Sequence, residues 1–517
     1  MTNDRCETPT ESAERGRPNV VWSLALGAPD AKAGLQQWLY AALREAIVAG
    51  RLPAGSILPG TRTLAQQYGL ARGTVASAYE RLLSEGYLLT RKGSGTRVSS
   101  VIPDRVHRAD AAAWPASEPA IDSGAARQAQ GPWIKRLEEQ PSPFPLSGAS
   151  SLPRPFHPHR GDVRLFPVDL WRQLHARHLR HARLATLGEP SAGGLPALRS
   201  AIAQHLAVAR AVSVPWEQVV VVGSVQQALD LSLRLLTEPG DCVWMENPGY
   251  VAARQLMHAS GVRLVDVPID RDGLCVQDGI RQAASAALAY VTPSRHAPLG
   301  VPMSAERRAA LLRWAAENSA IIFEDDYDSE YCFASRPLPA LRALPGADSH
   351  VIMAGTFSKL MFPSLRLAFV VLPPRLVDPF IRAVSITSRG ASGLTQAVLA
   401  DFMSEGHFDR HVRRTRKIYA ARAQAFEAAA TRYWPELIEV ESPRAGLDVV
   451  GRLLRLDEQT AVRRLHGAGI DASPLSKYAQ SHRDRHGPSL VMGFAPFDED
   501  EIDRGAQRVA AALRGNA

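Results

Sequence analysis

Apolar residues near the start of the chain recur with the period of a helix. Leu35, Trp38, Leu39, Ala42, Leu43, Ala46 and Ile47 fall at i, i+3, i+4 and i+7 spacings, which puts them on one face. Gly50 and Pro53 close that helix. A short helix is predicted over Thr61–Tyr68, followed by a turn at Gly69. A third helix starts near Arg72, buries Val75, Ala78, Tyr79, Leu82 and Leu83, and stops at Gly86. Residues 87–98 then read as two short strands around Lys92, Gly93, Ser94 and Gly95. Helix, helix, turn, helix, hairpin is the order of a winged helix-turn-helix.

Farther along, short apolar runs alternate with helical stretches: VVVVG (219–223), CVWM (242–245), VRLVDV (262–267), LAYVT (288–292), AIIFE (320–324), VIMAG (351–355) and LAFVV (367–371). This alternation predicts an α/β domain with a mostly parallel sheet. Beyond about residue 400 the pattern is mainly helical, with strands near 447–450 and 490–494, which predicts a smaller C-terminal lobe. Residues 101–145 are rich in Ala, Pro, Ser, Gly and Gln without sustained periodicity, the composition of a linker. The expected organisation is therefore a flexible N-terminus (1–33), a winged helix-turn-helix (34–100), the linker (101–145) and an α/β domain (146–517).

The 517 residues exceed what one core holds. The composition lacks any apolar run of membrane-spanning length, and the polar start does not resemble a signal peptide, so a cytoplasmic protein is expected. Cys6, Cys242, Cys275 and Cys332 form no Cys-x-x-Cys pair, which argues against a zinc site or disulfide framework. The net charge of +8 is uneven: residues 34–100 hold eight Arg or Lys against three Glu. Such a basic field suits a polyanion, although a solvated basic face has the same composition.

Chemistry concentrates in two places. In the first unit, Arg72, Gly73 and Thr74 occupy the first turn of the third helix, where side chains meet base edges or phosphates. Arg62 opens the preceding helix, where a phosphate contact is natural, and Lys92 and Gly93 form the hairpin tip, suited to a minor-groove or backbone contact. In the second unit, Lys359 follows the run VIMAG, a position from which an amine can condense with an aldehyde cofactor. Asp325 in EDDYDSE can pair with a protonated pyridine nitrogen and Tyr327 can reach the ring oxygen, while a helix N-cap is the ordinary alternative for such an acidic loop. Ser224, Val225 and Gln226 begin a helix after VVVVG, so their N–H groups can cradle a phosphate. Arg366 offers a fork for the same phosphate; Thr356 and Ser358 add hydroxyls.

The string LPGTRTLAQQYGLARGTVASAYERLLSEGYLLTRKGSGTRV resembles the GntR family of winged-helix regulators, with Ala71 where Ser or Thr is usual. Residues 145–517 resemble the fold-type I aminotransferase domain of the MocR subfamily of that family, through GEPSAGGLPALRSAIAQHL, ENPGY, VTPSRHAPLG, EDDYDSEY and GTFSKLMFPSLRLAFVVLP. The resemblance implies pyridoxal 5'-phosphate (PLP) held as an aldimine on Lys359, with Asp325 on the pyridine nitrogen, Tyr327 on the ring oxygen, and Thr356 and Arg366 on the phosphate. It sets Tyr250 of ENPGY against the ring, and His296 approaches it. It also implies a domain-swapped homodimer on an operator in double-stranded DNA, responding to a small amino compound or to PLP itself. Four positions depart from the pattern. Leu187 stands where a tyrosine is usual, G-S-V replaces the usual phosphate turn, Arg295-His296 replaces His-Gln, and Val491 replaces the arginine that grips a substrate carboxylate. The last departure favours a ligand-sensing regulator over the rival reading, an active aminotransferase with a DNA-binding tail, though a transaminase half-reaction stays chemically open. A third reading keeps the fold only as a PLP-free dimerisation scaffold.

Overall fold

The computed structural model describes residues 34–91, 95–102, 131–140, 142–144, 153–180, 188–189, 191–333, 338–480 and 486–515. The chain divides into two compact units, residues 1–129 and 130–517.

The first unit contains α1 (Leu35–Val48), α2 (Thr61–Tyr68), α3 (Arg72–Ser84) and the hairpin β1 (Leu88–Arg91) and β2 (Gly95–Val98). Its core holds most of the set that the periodicity singled out: Leu39, Leu43, Ile47, Val75, Ala78 and Leu82 are buried, joined by Leu64, Tyr87 and Val98, whereas Leu35 at the start of α1 is exposed. Gly69 ends α2 in the left-handed region (φ 64°), where glycine carries no Cβ penalty. The strands pair antiparallel with Leu88 opposite Val98 and Arg91 opposite Gly95. Lys92 and Gly93, expected at the tip, lie outside the described residues.

The second unit opens with α4 (Pro132–Glu138). This helix corrects the expectation of a featureless linker over 101–145. Seven residues are too few for a periodicity to register, and its anchors lie elsewhere in the sequence. Arg136 donates to the Ala259 carbonyl at 2.8 Å, and the Glu139 carboxylate pairs with His258 at 2.6 Å. There follow α5 (Val168–Arg180), α6 (Pro196–Arg210), β3 (Val219–Val222), α7 (Val225–Leu236), β4 (Cys242–Asn247), α8 (Val251–Ser260), β5 (Arg263–Asp270), β6 (Gly273–Leu274), α9 (Val276–Ala283), β7 (Leu288–Val291), α10 (Ala305–Glu317), β8 (Ile321–Asp326), β9 (Val351–Thr356) and β10 (Ala368–Val371).

All seven apolar runs become strands of one sheet, in the order β3-β10-β9-β8-β7-β4-β5-β6. Strands β5, β4, β7, β8 and β9 are mutually parallel, whereas β10 runs antiparallel to both its neighbours. Apolar side chains bury both faces, as a parallel sheet requires. On one face Trp244 and Trp314 stack with centroids 3.8 Å apart.

The rest of the chain forms α11 (Pro374–Thr387), α12 (Gly393–Ser404), the long α13 (His407–Tyr433), β11 (Ile438–Val440), β12 (Asp448–Leu453), α14 (Glu458–Gly467), β13 (Ser473–Pro474), β14 (Ser489–Gly493) and α15 (Glu499–Arg514). The four strands make a second, antiparallel sheet in the order β11-β12-β14-β13, the smaller lobe. Among the described residues no helix is long and apolar enough to cross a membrane.

Trp314 is 1 % exposed, so Trp314→Ala leaves a cavity beside Trp244. The expected loss is about 3–5 kcal/mol, seen as a lower urea midpoint for this unit; an unchanged midpoint would contradict the packing described.

Candidate cofactor site and nucleic-acid interface

Ligands of open α/β sheets bind beyond the carboxyl ends of the parallel strands. Here those ends deliver the candidate residues to one edge. Thr356 of β9 and Val222 of β3 both lie opposite Ala368 of β10, which sets Thr356, Arg366 and the turn Gly223-Ser224 side by side. One strand over, Asp325 of β8 pairs with Ala354 of β9.

The acidic run is not a solvated loop, and one of its carboxylates, Glu324, does cap a helix, the short 3-10 turn Leu341–Ala343. Strand alternation sends its carboxylates to opposite faces. Glu324 accepts the Leu341 and Arg342 N–H groups at 2.8 Å each, and Asp326 pairs with Arg210 at 2.7 Å. Asp325, between them, faces the other way. Its Oδ2 accepts the Tyr290 hydroxyl at 2.6 Å, and its buried Oδ1 has no partner among the described residues. Burial pushes the Asp325 carboxyl up to about 6, against the Tyr290 hydrogen bond and the Lys359 charge, which both favour the anion.

Lys359 is half-buried, and its amine donates to the His159 carbonyl. Burial lowers its pKa, helped by Arg160; Asp448, Asp328 and Asp325 oppose the shift. His159 is itself clamped. Asp448 accepts from its N–H at 2.6 Å and meets its Nδ1 at 2.7 Å, and the Tyr478 hydroxyl meets Nε2 at 2.6 Å.

Farther along the same edge of the sheet, Val225 and Gln226 are the first residues of α7, whose opening N–H groups have no intrahelical acceptor. Ser224 is its N-cap, accepting from the Gln227 N–H at 3.1 Å. The Thr356 hydroxyl accepts the Ser358 N–H at 3.1 Å. Arg366 holds a left-handed backbone (φ 53°), is exposed, and its guanidinium has no partner among the described residues. Tyr250 caps α8, hydrogen-bonds Gln226 and lies near enough to Asp325 to feel its charge. A buried carboxylate oxygen without a partner, a free guanidinium and a helix N-terminus at one strand edge fit a group with a protonated ring nitrogen and a phosphate.

His296 is fixed within its own loop: its Nδ1 accepts the Leu299 N–H at 3.2 Å, and Nε2 lies 3.7 Å from Glu246. Burial drops His296 to about 3, so any contact it makes is made as a neutral imidazole. Sequence reasoning passed over Tyr290, Arg295, His159 and Asp448 as members of the site. Tyr290 reads as a core aromatic, and His159 meets Asp448 across 289 residues with no local signal. Leu187 lies outside the described residues. Val491 is fully buried in β14, packed against Leu475 and Tyr478.

On the first unit, Arg62 and Arg72 are exposed and their guanidinium groups have no partner among the described residues. Thr74 is half-buried in the first turn of α3. A Cβ at Gly73 would meet nothing within 4 Å, so nothing inside this unit requires glycine there.

A winged helix-turn-helix joined to an aminotransferase fold defines a class of DNA-binding regulators, and comparison with known proteins agrees. Residues 35–98 match the family described as bacterial regulatory proteins, gntR family, and residues 160–464 match aminotransferase class I and II. The chain is 38% identical over 485 residues to the probable rhizopine catabolism regulatory protein MocR of Rhizobium meliloti, covering 94% of each chain. It is 30% identical over 461 residues to the pyridoxine biosynthesis transcriptional regulator PdxR of Corynebacterium glutamicum, covering 89% of this chain and 92% of that one. Among solved structures, LysN, the α-aminoadipate aminotransferase of Thermus thermophilus, superposes with a TM-score of 0.66 at 25% identity, over 76% of this chain and 98% of its own. The chain belongs to the MocR subfamily of GntR transcription regulators. It is a DNA-binding regulator whose aminotransferase-like domain binds PLP.

The folded Asp325 carboxyl lies above its unfolded value, so protonation favours the unliganded fold at low pH and that contribution is lost as pH rises through about 6. A cation on Oδ1 reverses the loss. PLP is therefore expected to raise the melting temperature more at pH 8 than at pH 5, and Asp325→Asn to flatten that difference; an equal pH response in both proteins would remove Asp325 from the site.

Proposed function

We propose that this regulator senses a small amino compound, or PLP itself, at the site built around Lys359, and that occupancy there changes its affinity for an operator. The observation that carries the reading is a half-buried amine close enough to Asp325 for each to feel the other's charge, together with the partnerless oxygen of that carboxylate. Bound PLP supplies an aldehyde that condenses with primary amines and a ring that withdraws electrons. Burial disfavours the ammonium of Lys359 and so shifts it toward the neutral, nucleophilic amine. Asp325 would hold the proton of the ring nitrogen. Arg366, Thr356, Ser358 and the N–H groups of Ser224, Val225 and Gln226 would hold the phosphate, Tyr250 would face the ring, and Tyr327 would donate to its oxygen.

Regulation rather than turnover is the favoured role, because Val491 offers no charge to an α-carboxylate. The rival, an active aminotransferase, draws on the presence of both Lys359 and Asp325. The names of the relatives span rhizopine catabolism and pyridoxine biosynthesis, so the effector is left at the level of an amine. Arg72 and Thr74 read bases, Arg62, Lys92 and Gly93 steady the backbone, and a cytoplasmic homodimer of the kind the subfamily resemblance implies reads two half-sites.

Operator binding measured without PLP, with PLP, and with PLP plus a panel of amines should differ among the three conditions and become insensitive in Lys359→Ala. A ligand response that survives Lys359→Ala refutes the sensing site, and sustained conversion of an amino acid and keto acid pair favours the enzyme. Arg72→Ala is expected to weaken cognate binding by about 1–3 kcal/mol, measured by titration at fixed salt; no loss would exclude a bidentate base contact.

A further inference from the structure

The Tyr327 hydroxyl already receives a donor. Arg295 Nη1 lies 2.8 Å from that oxygen, so the guanidinium donates and the tyrosine accepts. A tyrosine hydroxyl has a single proton. With an arginine N–H on the oxygen, that proton is left for another acceptor. Burial pushes the Tyr327 pKa well above its ordinary value, so the proton stays on the residue.

The guanidinium is held from three directions. It meets Asp328 Oδ2 at 3.2 Å, in the loop that carries Tyr327, and it donates to the Asp448 carbonyl of β12 at 2.7 Å. Gly446 lies against it: a Cβ there would come within 2.2 Å of the Arg295 Cζ, so only glycine admits the arginine in this position. Arg295 is 5 % exposed, and its Nε has no partner among the described residues. A cation this deep is costly unless it is paired. The charge is paired with buried Asp328, and the same Nη1 also rests on the tyrosine hydroxyl. The ion pair does not require that second contact; orienting the hydroxyl does.

We propose that Arg295 is a positioning residue for the cofactor: its donation to Tyr327 turns the tyrosine proton toward the ring oxygen of bound PLP and ties that hydrogen bond to the C-terminal lobe through Asp448 and Gly446. The inference rests on Tyr327 as the ring-oxygen donor. A hydroxyl polarised by a cation donates more strongly, and a stronger donor stabilises negative charge on the ring oxygen. The bound chromophore then gives up its proton at lower pH. The charged groups facing Arg295 and Tyr327 are Asp328 on their own side and Asp448 from the lobe, with Lys359 close to both carboxylates and His296 adjacent to Arg295. Removing Arg295 also alters this balance of charge, so a single variant does not isolate the route through Tyr327.

The test is a double-mutant cycle read by absorbance. The full-length protein loaded with PLP, Arg295→Gln, Tyr327→Phe and the double variant are titrated with pH while the spectrum of the bound cofactor is followed, folding being checked by circular dichroism. Arg295→Gln and Tyr327→Phe should each raise the midpoint by about one pH unit, a tenfold change in proton affinity. In the Tyr327→Phe background, Arg295→Gln should add less than a third of its own effect. An unchanged midpoint in Arg295→Gln, or the same shift in both backgrounds, overturns the proposal. Should Arg295→Gln fail to fold, Gly446→Ala takes its place in the cycle, since it displaces the guanidinium without removing its charge. Failure of the wild-type protein to give a bound-PLP spectrum that Lys359→Ala abolishes would instead defeat the sensing site itself.

Discussion

Burial moves Lys359 and Asp325 in opposite directions from their ordinary ionisations. The amine is drawn down, and the carboxyl is drawn up to about 6. Each is a charged group in a poorly solvated place, and each lacks something: the amine rests on a backbone carbonyl, and one carboxylate oxygen rests on nothing. In a chain whose only task was to fold, apolar side chains would serve better at these positions. A cationic ring nitrogen at Asp325 and an aldehyde at Lys359 relieve both conditions together, so the cost in the unliganded fold is the counterpart of affinity for the cofactor.

The scaffold keeps these groups in register. The parallel sheet carries Asp325 and Thr356 to one edge, while the phosphate turn enters from β3 and Arg366 leads into antiparallel β10. The smaller lobe is wired to the same pocket. Asp448 of β12 clamps His159, whose carbonyl holds the lysine amine, and its own carbonyl holds Arg295, which contacts Tyr327. Asp448 stays ionised because His159 and Arg295 hold its carboxyl down to about 2 despite burial. A ligand that changes what Lys359 and Tyr327 contact therefore acts on groups bonded to Asp448 of the lobe. Whatever reaches the DNA-binding unit must begin with such a difference in contacts, since a ligand shifts an equilibrium only by its differential affinity for the two states.

Local pattern was enough for much of this. The helices of the first unit and the seven strands of the sheet are written as periodicities of 3.6 and as apolar runs, and they form where expected. Lys359, Asp325 and Arg366 stand beside strand ends, so short-range sequence suffices to nominate them. What stayed hidden depends on distance or on length. Tyr290 is an ordinary strand aromatic until Asp325 comes within 2.6 Å from another strand. Arg295 looked like a mere departure from a pattern until its fork met Tyr327, Asp328 and Asp448. Helix α4 is too short to show a period.

The most direct test is chemical. PLP-loaded protein is reduced with borohydride, which fixes a carbon–nitrogen double bond as a stable amine, and is then digested for peptide mass mapping. The account predicts one phosphopyridoxyl group per chain, on the peptide carrying Lys359 and lost in Lys359→Ala. A label spread over surface lysines, or none on that peptide, would contradict it.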